Sequence, residues 1–110
     1  MENLKSEVST SFRFLTLNKL QAYTLDREVP DSSYIEQGDD GAYLGSVRLT
    51  EFNIDDINDF YVRQKIDIVD CDILVSVGSR LKTSTTDVSP VVNRMLKYID
   101  CKLRYSFKTV

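Results

Sequence analysis

The residues best suited to chemistry in this chain are carboxylates. The tract "KIDIVDCDILVSVGSRL", residues 65 to 81, sets Asp67, Asp70 and Asp72 into the most apolar stretch, and "FNIDDINDFY" just before it carries Asp55, Asp56 and Asp59. Grouped acids can offer the oxygen ligands that Mg²⁺ or Ca²⁺ requires. An EF-hand, however, needs alternating oxygen ligands, a glycine and a terminal glutamate across about twelve residues. Neither "FNIDDINDFY" nor "IEQGDDGAYLG" supplies that order. The acids therefore read as helix-cap and turn residues. No metal or other cofactor is expected, and Asp55, Asp56 and Asp59 are assigned to an acidic surface that a partner would meet.

Nucleophilic chemistry is also poorly provided for. The 110 residues contain no histidine, which removes the commonest general base and the commonest transition-metal ligand. Cys71 and Cys101 stand far apart, without CxxC or zinc-finger spacing, and acids around Cys71 disfavour a reactive thiolate. The Ser/Thr-rich stretches "STSF" and "KTSTTD" come with no recognisable base. The expectation is a protein that is not an enzyme.

Basic residues are the second set. Arg48, Arg80, Lys82, Lys102, Arg104 and Lys108 fall, with Ser46 and Ser76, on one parity of the strands read below, where they would form an oligomer-contact or phosphate-contact surface. RNA-recognition sheets stack bases on aromatics of that same face. Tyr105 and Phe107 have the opposite parity and are expected in the core, which makes nucleic-acid or phosphate binding the alternative rather than the leading expectation.

Charge is unevenly spread along the chain. Residues 26–72 hold thirteen acids against four bases, a balance of −9, whereas residues 73–110 hold seven bases against two acids, a balance of +5. Opposite patches of this kind attract charged partners or further copies of the chain, unless the two segments interleave and cancel locally.

Positioning these residues takes a folded scaffold, and a composition of 42% hydrophobic and 28% charged residues is that of an ordinary globular protein. No apolar run has the length of a signal peptide or a membrane span, so a cytoplasmic protein without membrane contact is expected. Near the C-terminus, Ser89 as N-cap, Pro90 at the first helical position and the stripe Val92, Met95, Leu96, Ile99 predict a helix over 89–99. "DCKLRYSFKTV" then alternates as a strand, with Cys101, Leu103, Tyr105 and Phe107 opposed to Lys102, Arg104, Ser106 and Lys108. "AYLGSVRLTEF" reads as another strand, and Asn53, Asp55, Asp56 and the stripe Ile54, Ile57, Phe60, Tyr61 predict a helix over 53–64.

Within the opening tract the apolar parity changes from even at Ile66 and Ile68 to odd at Ile73, Val75 and Val77. One strand cannot keep a single buried face through that change. A hairpin turning at 69–72 on Asp70 and Asp72 is preferred, with a bulged single strand second. Residues 43–110 then run strand, helix, strand, strand, helix, strand, which is the order of an α+β, ferredoxin-like (split βαβ) antiparallel sheet with two helices on one face.

Residues 1–42 read as an N-terminal extension of the same single domain. For "STSFRFLTLNKLQAYTLDREV", residues 9–29, a hairpin turning at Asn18-Lys19 is preferred, with a helix as the alternative. A polar loop follows and closes with a turn at Gly38 to Gly41. Leu44 and Leu74 fall on the sheet face away from the helices, which the N-terminal segment or a second subunit would cover. Together these features point to a small accessory protein that binds another protein or assembles with itself through charge-complementary surfaces.

Overall fold

The computed structural model of the chain describes residues 7–38, 40–79 and 89–109. In chain order they form β1 (Glu7–Leu17), α1 (Lys19–Glu28), β2 (Ser32–Gln37), β3 (Ala42–Arg48), α2 (Ile54–Arg63), a short 3₁₀ turn at Ile68–Asp70, β4 (Cys71–Ser79), α3 (Pro90–Tyr98) and β5 (Lys102–Thr109). The fold is α+β. Its five strands make one mixed sheet in the order β2-β3-β1-β4-β5, antiparallel throughout except for the parallel pair β4–β5. No helix among the described residues is long and apolar enough to cross a membrane.

Several sequence-derived elements stand. α3 starts at a Ser89 cap, whose hydroxyl accepts from the Val91 amide, with Pro90 as its first residue. It buries Val92, Met95 and Ile99, while Arg94 and Lys97 are exposed. α2 carries Asp55 and Asp56 in its first turn and buries Ile54, Ile57 and Phe60. Asn53, in front of it, does not cap through its side chain. Its amide instead donates to the Pro30 and Arg48 carbonyls and accepts from the Thr50 amide, which fastens the loop after β3.

The N-terminal segment is placed differently from the expectation. β1 is the central strand of the sheet, not part of a peripheral hairpin: Phe12 and Phe14 are fully buried between β3 and β4. Asn18 begins a helix instead of a turn. Its side chain accepts from the Gln21 amide while the Gln21 side chain accepts from the Asn18 amide, a reciprocal capping box. A register shift between Phe14 and Leu17 moves the buried parity from even to odd, so Leu17 still enters the core. Gly38, Asp40 and Gly41 are turn residues, with both glycines at positive φ, but the polar stretch before them contains β2. Charge and hydroxyl content concealed that strand because it is an edge.

The hairpin expected at 69–72 is also replaced. Lys65, at positive φ, follows α2, the chain makes a single 3₁₀ turn over Ile68–Asp70, and β4 starts at Cys71. Asp70 is in that turn, but Asp72 lies inside β4. With no strand ahead of the turn and a parallel pair joined through α3, the strand order differs from the ferredoxin-like one. A parallel pair requires a crossover connection, which α3 provides.

All three helices contribute to one buried cluster with the same face of the sheet: Phe12, Phe14, Val47, Cys71, Ile73, Val75 and Val77 meet Leu25 of α1, Phe60 of α2 and Met95 of α3. The Phe14 and Phe60 rings touch edge to face at 5.0 Å between centroids. At Gly45, α1 comes so close that an added Cβ would lie 2.5 Å from a Leu25 methyl. Among the described residues, no helix contributes to the opposite face.

Candidate interaction surface

Edge strand β5 presents two different faces. Its register pairs Asp72 with Lys102, Ile73 with Leu103, Leu74 with Arg104, Val75 with Tyr105 and Val77 with Phe107. Neighbours aligned in this way share a face, so Leu103, Tyr105 and Phe107 lie on the helix side as expected. They are not buried there. Tyr105 is 61% exposed, Phe107 56% and Leu103 37%, and Tyr98 at the end of α3 is exposed as well. The parity was legible, but burial also depends on what packs overhead, and these β5 side chains stay exposed.

On the open face, Lys102 and Arg104 share the side of Asp72 and Arg13. Asp72 has no exposed surface, a position a carboxylate tolerates only when paired. Arg13 donates to it from Nε at 2.8 Å and from Nη2 at 2.7 Å, and Arg104 Nε adds a contact at 2.9 Å. The hydrogen bond to Asp72 raises the Arg13 guanidinium above its ordinary value. Three strands are thereby tied together on the face opposite the helices. Asp72 is neither a turn residue nor an available ligand, and Arg13 was absent from the candidate residues because its partner is fifty-nine positions away.

The remaining candidates are dispersed. Arg48 is exposed at the end of β3, opposite Ser11 of β1 and so on the open face. Lys102 is exposed at the start of β5, and Lys108 holds a register position opposite Gly78. Arg80 and Lys82 lie outside the described residues. Asp55 and Asp56 are exposed, and Asp59 accepts from Arg63 one turn later, while Arg63 also reaches Glu28. Arg94 pairs with Glu51. Two pairs, Arg104–Asp72 and Arg94–Glu51, thus join the basic third to the acidic middle within one chain and neutralise part of the charge separation.

Burial pushes the Cys71 thiol up to about 12 and that of Cys101 to about 11, far from thiolate chemistry at neutral pH. Among the described residues no cluster of His, Cys, Asp and Glu has a metal-binding arrangement. A surface depression of about 700 Å³ beside the β2–β3 turn is lined by Leu15, Thr16, Gln37, Gly38, Asp40 and Ala42. Among the described residues that line it, the Asp40 carboxylate is accompanied by hydroxyl and amide groups and by no base.

The second edge of the sheet is β2. Ile35, on its open face opposite Leu44, is 61% exposed. On its helix face Tyr34 contacts Tyr43 and, from α1, Tyr23, with centroids 5.7 and 5.6 Å away. Comparison with protein-family models, with curated proteins and with solved structures finds no match to this chain.

Proposed function

We propose that this chain is a protein-binding module, without an enzymatic role of its own, that assembles with further copies of itself. The observation that carries the reading is the exposed row Leu103, Tyr105 and Phe107 on an edge strand. An edge offers unpaired backbone donors and acceptors to another strand, and exposed aromatics beside it add apolar area that burial would stabilise by roughly 25 cal/mol per Å². Lys102 on the other face adds a charge that an acidic counterpart can meet. The alternative, phosphate or nucleic-acid contact through the basic face, has less support. Arg104 is already engaged by Asp72, and the β5 aromatics face the other way.

Light scattering at low and high salt tests the reading. The wild type should exceed the monomer mass, and association should weaken with salt, because exposed charges are screened beyond about 10 Å near 0.1 M. The exposed-site double variant Tyr105→Thr, Phe107→Thr should be monomeric. A wild type that is monomeric at both salt concentrations overturns self-association.

A further inference from the structure

The two edges of the sheet are complementary, and we infer that β5 of one copy adds to β2 of the next, extending the sheet from head to tail. This rests on the self-association just proposed and names the surface that the exposed β5 row meets.

Strand direction allows it. β2 and β1 both run antiparallel to β3, so they point the same way, whereas β4 is antiparallel to β1 and β5 follows β4. β2 and β5 therefore run in opposite directions at the two edges. Shifting a second copy sideways, without turning it over, sets its β2 antiparallel to β5 and keeps both helix faces on one side. The contact is heterologous, leaving a free β2 at one end and a free β5 at the other.

Cover is complementary as well. β5 has exposed aromatic side chains on the helix side, Tyr105 and Phe107. β2 has the reverse arrangement: α1 sits beside its helix face, with Tyr23 against Tyr34 and exposed Leu20 one turn earlier on the helix. In the joined sheet, α1 of the second copy would lie beside the exposed Tyr105 and Phe107. Aromatic pairs across such a seam add to area burial.

Charge selects this pairing over two copies of β5 meeting each other. Residues 102–109 contain Lys102, Arg104 and Lys108 and no acid, whereas residues 29–41 contain Asp31, Glu36, Asp39 and Asp40 and no base. Like charges facing each other across a strand pair are destabilising, which disfavours β5 against β5. Glu36 is on the helix face of β2 and Lys102 and Arg104 are on the open face of β5, so the preference for β5 against β2 comes from longer-range attraction between the acidic segment 29–41 and the basic strand.

Complementation between two blocked variants tests the pairing. One carries Tyr105→Thr and Phe107→Thr on β5, the other Ile35→Lys and Glu36→Lys on β2, all at exposed positions. Far-ultraviolet circular dichroism and thermal melts verify that both keep the fold. Wild type should grow beyond a dimer with concentration, each variant alone should remain monomeric, and an equimolar mixture should give a one-to-one dimer through the single intact β5–β2 pair. A β2 variant that still dimerises alone, a β5 variant that associates like wild type, a wild type that stops at the dimer, or a mixture that stays monomeric overturns the head-to-tail pairing. A wild type that never associates removes the self-association reading along with it.

Discussion

Arg13 and Asp72 face each other across the β1–β4 pair, and the guanidinium holds the fully buried carboxylate with two hydrogen bonds of 2.8 and 2.7 Å. Paired charges on the sheet face opposite the helices do two things. They satisfy an aspartate that neighbouring side chains cut off from water, and they bind the central strand to the parallel β4–β5 unit that presents the candidate surface.

Removing one side of such a pair leaves an uncompensated charge, which typically costs about 3–5 kcal/mol. Arg13→Met should lie in that range in urea denaturation. Arg104 contacts the same carboxylate but is half exposed, so Arg104→Met should cost no more than about 1 kcal/mol. Equal losses for the two would show that Asp72 does not depend chiefly on Arg13.

What the sequence disclosed was local. Ser89-Pro90 specifies a helix through its cap and stripe, and residues 54–61 through first-turn acids and 3.6-residue periodicity, signals contained within a dozen neighbouring positions. Asn18 and Gln21 carried the same kind of signal, yet Phe12 and Phe14 drew the reading toward a hairpin. The Ile66-to-Ile73 parity change did mark a break, but a break can be a turn after a helix as readily as a turn between strands. Non-local facts were out of reach. That β1 is central, that Arg13 meets Asp72 and that the apolar side chains of edge strand β5 stay exposed all depend on strand order, which the period of a strand does not encode.

The helix phase of α3 is testable directly. Met95 is fully buried and Lys97 is exposed. Met95→Ala should cost about 2–5 kcal/mol, whereas Lys97→Ala should stay within about 0.5 kcal/mol. Similar losses at both positions in denaturant melts would mean that α3 is rotated about its axis.

Gly45 tests how closely α1 lies on the sheet. A Cβ there would meet Leu25 Cδ2 at 2.5 Å and Leu17 Cδ1 at 2.8 Å, both on buried side chains. Gly45→Ala should therefore destabilise by about 1–3 kcal/mol through overpacking, although alanine normally favours a strand over glycine. Trimming the clashing neighbour should return part of the loss: Gly45→Ala with Leu25→Val should be less destabilising than the sum of the two single variants. Simple additivity would place α1 further from β3.

Cys71 sets an alkaline limit on stability. Its thiol is buried at the start of β4, where Sγ donates weakly to the Asp67 carbonyl at 3.7 Å, and desolvation, with Cys101, Asp70 and Asp72 nearby, pushes it up to about 12. A group whose folded-state value is raised favours the folded state fully below its unfolded value, near 9, and that contribution is lost as pH climbs toward 12. In this window the unfolded chain ionises a thiol that the folded chain keeps neutral, so stability falls by up to about 1.4 kcal/mol per pH unit for each such group. Cys101, raised to about 11, adds to the same limb. Urea midpoints measured at steps from pH 8 to about 11 should decline less steeply in Cys71→Ala than in wild type, even though the variant starts from a lower stability because of the space left behind. Parallel slopes in wild type and variant would show that Cys71 does not titrate between the folded and unfolded states in this range.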